Sequence, residues 1–312
     1  MNFLSMDYFI TLARERNFTR AAEKLHITQQ TLSAHISNLE KETGAPLFLR
    51  HVPLELTYAG RIFYRYAQEF QRNARSLKRE LDDIATKEAG ELRIGTSPVR
   101  ENYLLPELIT GFRKQHPLVS FHLIEAANQQ LHEKLRNGEI DLAIANFPKR
   151  LPGIELIPYY EEEVIILVAS KLLKKYQNEN TAENGERLPM IPQELPEAIR
   201  ACPFLLNSKK NIAGQIARHV FEENYMQPTI SIESDNMVTL INLCFSGNGA
   251  MFCPENLARN VLNAAQLREM TMIRFPQSRY TISFGCRKEP HRWSMLDAFI
   301  SFSRSHSPAA QL

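Results

Sequence analysis

The stretch FTRAAEKLHITQQTLSAHISNLEKETG, residues 18–44, decides how the rest of the chain is read. Asn17 or Thr19 can cap a helix in which Ala21, Ala22 and Leu25 face inward. The short HIT segment then turns the chain, and Thr28 can cap a further helix. In that helix Leu32, Ile36 and Leu39 fall at i, i+4 and i+7 and form one buried stripe. Gly44 and Pro46 end it. Upstream, Phe3, Met6, Phe9, Ile10 and Leu12 recur at helical spacing and predict a first helix to about Arg16. The arrangement has helix–turn–helix spacing, with the small Ala21 and Ala22 letting the helices cross closely.

With the apolar stripe turned inward, the third helix presents Gln29, Gln30, Ser33, Ala34 and Ser37 outward, beginning at Thr28. A helix entered through a tight turn can offer such a face to the major groove. Glutamine bonds adenine N6 and N7 bidentately, and serine reaches several bases or a phosphate. Thr31, His35 and Asn38 lie at the edges, at backbone-contact positions. The plainer alternative is a helical hairpin with a polar solvent face. PLFLRHVPLELTYAG (46–60) follows, two short extended pieces around a proline-containing turn, as in a β-wing; Arg50 and His51 there suit phosphate or the minor groove.

From about Tyr58 an uninterrupted helical pattern runs to Glu88. Phe63, Tyr66, Phe70, Ala74, Leu77, Leu81 and Ile84 repeat at steps of three and four, close to a heptad seam. A helix of that length has no place to bury its stripe on so small a domain, so a helix from a second subunit is the economical partner. After Gly90 strands and helices alternate. ELRIGTS, VSFHLIEAA and IDLAIANF read as strands separated by the helices NYLLPELITGFRKQHP and QQLHEKLRNGE. After the strand EEEVIILVAS a second such unit runs from PFLLN to AMFCP. This order implies a mostly parallel sheet with helices on both faces. The polar stretch 174–197 reads as a surface insertion, and the tail SHSPAAQL as frayed.

The 37 basic and 35 acidic residues leave a formal charge of +2, so any nucleic-acid surface must be local. No apolar run approaches the ~20 residues of a membrane span, and MNFLSMDYFI lacks a basic segment ahead of a long apolar core. Cytoplasm is the expected compartment. Cys202, Cys244, Cys253 and Cys286 lack C-x-x-C or histidine pairing, against a zinc site; Cys244 and Cys253 are either buried reduced thiols or a redox pair. There is no G-x-S-x-G, H-E-x-x-H or P-loop, so no enzyme chemistry is expected.

FTRAAEKLHITQQTLSAHISNLEKETGAPLFLR and the following LELTYAG together resemble the signature of LysR-type transcriptional regulators, and the similarity extends over nearly the whole chain. The resemblance implies an α/β protein with an all-α N-terminal part: a winged helix–turn–helix (1–58), a dimerising linker helix (59–89) and a two-lobed, periplasmic-binding-protein-like effector domain (90–312). Lobe I would span about 90–162 and 268–305, and lobe II about 163–267. The implied partners are a pseudo-palindromic operator in double-stranded DNA, a second copy giving a dimer or tetramer, a small polar or carboxylate metabolite, and RNA polymerase. No cofactor or membrane is implied. The DNA-contacting set is then Thr28, Gln29, Gln30, Thr31, Ser33, Ala34, His35, Ser37 and Arg50. Two positions depart from the family pattern: Ala34 where a basic residue is usual, and Gln30 where proline is common. The wing segment HVPLE is also poor in Arg and Lys.

In open α/β sheets ligands lie beyond the carboxyl ends of strands, where helix N-termini present free N–H groups. Those ends offer Thr96, Ser97 and Asn146 in one lobe and Asn207, Ser208, Ser234 and Asp235 in the other. Thr96 and Ser97 match positions that often hold the effector in the family. Arg100 either adds a positive charge or is a solvated helix-start residue. Asp235 opposes a purely anionic ligand, leaving an amino acid or a polar neutral molecule open. The plainer reading of each of these groups is a helix cap. Asp141 resembles the family's strand-start aspartate, a structural residue, and the glycines of FSGNGAMFCP (245–254) fit tight backbone geometry. The remaining alternative is an architectural DNA-binding protein without an effector.

Overall fold

The computed structural model describes residues 2–49, 51, 53–85, 88–148, 150–181, 195–275, 278–289 and 291–306, the side chains of 178–181 excepted. It divides into two compact units. One comprises 1–90 with 137–139 and 289–294; the other comprises the remainder of the chain.

In the first unit α1 (Phe3–Glu15), α2 (Phe18–Lys24) and α3 (Gln29–Thr43) each start on a side-chain cap. Asn2, Asn17 and Thr28 accept from the amides of Ser5, Arg20 and Thr31 at 2.9, 3.0 and 3.1 Å. Such caps satisfy donors that a helix start leaves open. Of the two candidates for α2, the cap is Asn17. Gly44 closes α3 with φ +69°, a left-handed conformation natural to glycine. Phe9, Ile10, Leu12, Leu32, Ile36 and Leu39 form one core, with Ala21 and Ala22 buried where the helices cross. The wing is a two-stranded antiparallel ribbon, β1 (Phe48–Leu49) and β2 (Glu55–Leu56). Glu40 Oε1 accepts from the amides of Leu47 and Phe48 at 2.7 and 3.2 Å and so ties α3 to the wing.

The long helix α4 runs Tyr58–Ile84, ending four residues before the sequence pattern predicts. Thr57 caps it by accepting from Gly60 N at 2.9 Å. Gly60 permits contact with the wing, since a Cβ there would lie 2.0 Å from the Leu47 carbonyl oxygen. Phe63, predicted in the seam, instead packs edge-on against Phe9 at 4.8 Å in the N-terminal core. The exposed apolar line is therefore Ile62, Tyr66, Phe70, Leu77, Leu81 and Ile84.

The second unit carries β3 (Gly90–Thr96), α5 (Pro98–Gln115), β4 (Val119–Glu125), α6 (Asn128–Arg136), β5 (Leu142–Ala145) and β6 (Ile154–Ala169). These are followed by α7 (Ser170–Thr181), α8 (Glu197–Ala201), β7 (Phe204–Leu206), α9 (Ile212–Glu223), β8 (Ile230–Glu233) and α10 (Met237–Phe245). The chain continues through β9 (Ala250–Pro254), α11 (Glu255–Val261), α12 (Ala264–Arg268), β10 (Met270–Ile273), β11 (Arg279–Arg287) and α13 (Ser294–Ser305). The strand order is β4-β3-β5-β11-β6-β9-β7-β8, with β10 also on β6.

Each lobe keeps a parallel heart, β3 on β5 in one and β9, β7 and β8 in the other. The sheet as a whole is mixed, because β6, β10 and β11 join it antiparallel. The alternating pattern could not reveal this: among the described residues no helix lies between β5 and β6 or between β10 and β11. β6 is the shared element. Its residues 154–163 pair with β11, 164–167 with β9 and 166–169 with β10. β10 pairs with the second half of β6. Of the stretch 174–197, α7 extends to Thr181 and α8 starts at Glu197, while 182–194 lies outside the described residues, as do Arg50 and most of the tail.

Asp141, as the pattern suggests, is structural: it takes Arg93 Nη2 at 2.6 Å and Nε at 3.1 Å in a forked pair, along with the Arg93 amide. Gly249 (φ +159°) lets the chain pass where a Cβ would sit 2.7 Å from Pro203 O. All four cysteines are buried, and none is in a disulfide. Burial pushes the Cys202 thiol up to about 11 and Cys244 up to about 12, which keeps them as unreactive thiols at neutral pH.

Gly60→Ala is expected to lower the unfolding free energy by roughly 1–3 kcal/mol, because the Leu47 carbonyl must be displaced. A urea titration of the full chain checks it; an unchanged midpoint would mean that α4 does not press on the wing.

Candidate functional site

Two surfaces gather the polar residues singled out from the sequence. On α3, Gln29, Gln30, Thr31, Ala34 and Asn38 are exposed, and Ser33, His35 and Ser37 are half-buried flanks. Thr31 and Asn38 thus stand on the open face, and the two serines stand at its edges. The Thr28 hydroxyl is held at 2.8 Å from that of Thr31 while capping the helix. His35 is set by an edge-on contact of its ring with Tyr8 at 4.9 Å. Gln29 and Gln30 therefore occupy the first turn of the helix, free to extend. Ala34 adds no charge to the middle of the face.

The second surface is a cleft of about 270 Å³ between the lobes, lined by Ser97, Arg100, Glu125, Asn128, Glu162, Asn207, Ser208, Lys210, Asp235 and Tyr280 among others. Of the residues expected there, Ser97, Arg100, Asn207, Ser208 and Asp235 meet in one place. Thr96 and Asn146 do not. Thr96 is fully buried, its hydroxyl donating to Ile144 O at 3.0 Å as a link between β3 and β5. Asn146 donates to Thr281 O at 3.0 Å, tying the end of β5 to β11. Strand alternation explains Thr96: its side chain points into the sheet packing, and Ser97, the next residue, opens to the cleft.

Arg100 proves to be neither a solvated helix start nor a free cation. It is 3% exposed, and its Nη2 meets Glu162 Oε2 at 2.9 Å, with Glu162 fully buried. Burial opposes the guanidinium charge, but the facing Glu162 carboxylate outweighs it and holds the arginine more firmly protonated than usual. Glu162 also accepts from the phenols of Tyr103, Tyr160 and Tyr280. Those hydroxyls are pushed well above the ordinary tyrosine range, by burial first and then by the carboxylate, so they remain donors. Glu162 and its tyrosines were not legible in advance. An acid inside the apolar run EEEVIILVA was the only local hint, and its partners lie up to 118 residues away.

Ser97 caps α5 by accepting from Arg100 N at 3.5 Å and from Arg100 Nη1 at 3.1 Å. Its own O–H remains to donate. Asn207 is 3% exposed and donates through Nδ2 to Ser234 O at 2.9 Å. The 207–208 loop is pinned against α9, since a Cβ on Gly214 would approach Ser208 O to 2.3 Å and Asn207 O to 2.6 Å. Asn207 Oδ1 and Arg100 Nε are two of the eleven buried side-chain atoms without a hydrogen-bond partner among the described residues; such groups call for an explanation, and a bound partner is one. No group of three or more His, Cys, Asp or Glu among the described residues can hold a metal ion, and no helix among them is long and apolar enough to cross a membrane.

The family model described as a LysR substrate binding domain matches residues 85–308, and that described as a bacterial regulatory helix-turn-helix protein of the lysR family matches residues 3–61. The Hca operon transcriptional activator HcaR of Escherichia coli is 29% identical over 255 residues, 81% of this chain and 82% of its own. The regulator IlvY of Escherichia coli is 25% identical over 308 residues, covering 98% of this chain and all of its own (100%). Among solved structures, a full-length OxyR variant from Pseudomonas aeruginosa superposes with a TM-score of 0.69 at 23% identity, covering 97% of this chain and 95% of that one. Full-length CbnR in complex with its target DNA superposes with a TM-score of 0.63 at 22% identity, covering 98% and 100%. These two likenesses establish the fold.

Glu162→Gln leaves Arg100 buried without its counter-charge and is expected to cost about 3–5 kcal/mol of stability. Tyr280→Phe removes one hydrogen bond and is expected to cost about 1–2 kcal/mol. Chemical denaturation of the two variants tests the order; equal losses would mean the ion pair is solvated.

Proposed function

The chain belongs to the LysR family of DNA-binding transcriptional regulators and is not an enzyme, and from that premise we propose that a small polar molecule held in the cleft alters how it binds and bends its operator. The observation that carries this reading is the cleft itself, with its orphaned Asn207 oxygen and Arg100 nitrogen on opposite lobes. The lobes share β6, which pairs with β11 through Glu163 and with β9 from Val164, a crossing about which closure on a ligand can rotate one against the other.

At the DNA, α3 enters the major groove with Gln29 and Gln30 reading base edges and Ser33, Ala34 and Ser37 alongside. Thr28, Thr31, His35 and Arg50 serve the backbone. Neutral Ala34 supports an operator preference distinct from that of relatives with a basic residue there. The exposed line Ile62, Tyr66, Phe70, Leu77, Leu81 and Ile84 supports pairing of α4 with a second copy. Two recognition helices then meet a pseudo-palindromic site, as a dimer or a dimer of dimers. The division into residues 1–58, 59–89 and 90–312, a cytoplasmic setting, and contact with RNA polymerase complete the proposal.

Footprinting the purified chain on fragments of its own genome, with and without fractions of cell metabolites, tests it. A footprint that shortens or shifts with a fraction is the expected result; footprints indifferent to every fraction would favour an architectural protein. Gln29→Ala is expected to weaken specific binding by about 1–3 kcal/mol and to spare random-sequence binding, both read by gel shift. Equal loss on both would mean that the wrong face of α3 has been chosen. Leu77→Asp is expected to yield monomers in sedimentation and a loss of operator affinity; an unchanged oligomer would remove α4 from the interface.

A further inference from the structure

Which chemical class the cleft accepts follows from its charge and its unfilled hydrogen bonds. Arg100 offers little attraction to an anion, because Glu162 sits 2.9 Å from its guanidinium and cancels the field. What remains is one exposed cation, Lys210, against two exposed carboxylates, Glu125 and Asp235. A simple carboxylic acid entering here meets a lining that is net negative. A ligand with a positive centre is drawn in, since unlike charges in a partly dehydrated cleft attract more strongly than in bulk water.

The hydrogen-bond inventory points the same way. The amide of Asn207 has its orientation fixed, because Nδ2 donates to the Ser234 carbonyl, which can only accept. Its Oδ1 is therefore a true acceptor, buried and without a donor. Asn128 Oδ1, from the first lobe, is likewise buried without one. Two acceptors waiting for hydrogens suit a ligand rich in N–H groups. On the other side of the balance stand the Ser97 O–H, Arg100 Nε and the Lys210 ammonium, three donors that need an acceptor.

We propose that the cleft selects a small zwitterion, a molecule with a protonated amine and a carboxylate as in an amino acid, its ammonium toward Asp235 and Asn207 and its carboxylate toward Ser97 and Lys210. This rests on the reading of the cleft as the effector site and narrows it to one class. A volume of about 270 Å³ lies at the small end for ligand pockets and suits a small molecule.

Isothermal titration of the full-length chain against three matched series tests the inference: the standard L-amino acids, the same compounds lacking the amino group, and the same compounds lacking the carboxylate. At least one amino acid is expected to bind about tenfold or more tightly than both of its truncated counterparts, as sites built to hydrogen-bond a group reject analogues without it. Asp235→Asn is expected to erase the preference over the compound lacking the amine. Lys210→Met is expected to erase the preference over the compound lacking the carboxylate. Both substitutions lie on exposed side chains, and circular dichroism checks that each variant is folded. Tightest binding by a carboxylic acid without an amine overturns the zwitterion but leaves the cleft as an effector site. Binding that ignores both substitutions overturns the assignment of the two ends. Absence of binding in all three series counts against the zwitterion and the effector reading together.

Discussion

A carboxylate taken out of water sets the terms for the second unit. Glu162 is fully buried, and ionised groups in that position require compensation close to the cost of their lost hydration. It receives one guanidinium and three phenols, from α5, β6 and β11. Those elements are therefore held to one another by hydrogen-bond geometry as well as by apolar contact. The position of this group is also telling: it lies on β6 just before the strand leaves β11 and begins to pair with β9. A buried pair of this kind is seldom more stable than an apolar filling of the same volume. Its presence is better explained by what it arranges, a polar floor at the crossing between lobes, than by stability alone.

Close backbone approaches do the complementary work of placing edges. Gly60 lets α4 seat on the wing carbonyl of Leu47, and Gly214 lets α9 seat on the carbonyls of Asn207 and Ser208. In each case the next larger side chain has no room. The first contact fixes how the long helix departs from the wing. The second fixes the loop from which Asn207 and Ser208 line the cleft. A helix–wing contact in one unit and a helix–loop contact in the other both depend on a missing methyl group.

The front of the molecule was read well from its residues, for a physical reason. Helix caps, a 3.6-residue stripe and a terminal glycine act within a few positions of one another, so Asn17, Thr28, Leu32, Ile36, Leu39 and Gly44 declare α2 and α3 locally. The seam of α4 was legible except for Phe63, whose burial against Phe9 depends on how α4 packs on α1. The cleft was legible by half. Ser97, Asn207, Ser208 and Asp235 stand at strand ends, and strand ends are visible in a pattern. Thr96 and Asn146 stand at strand ends too, yet their side chains turn to neighbouring strands.

Local chemistry along the chain therefore determined the element order, the helix–turn–helix, the polar face of α3 and the alternation that makes the second unit α/β. Tertiary structure decided which strands run antiparallel, where β10 pairs, and which polar groups share the cleft. It alone brought Arg100 to Glu162 and Tyr280 to both, residues 62 and 118 positions from that carboxylate. Capping and periodicity are interactions between near neighbours, readable one turn at a time. Charge pairing across a sheet is not: which partner an acid finds depends on where the chain returns, and only the assembled sheet specifies that.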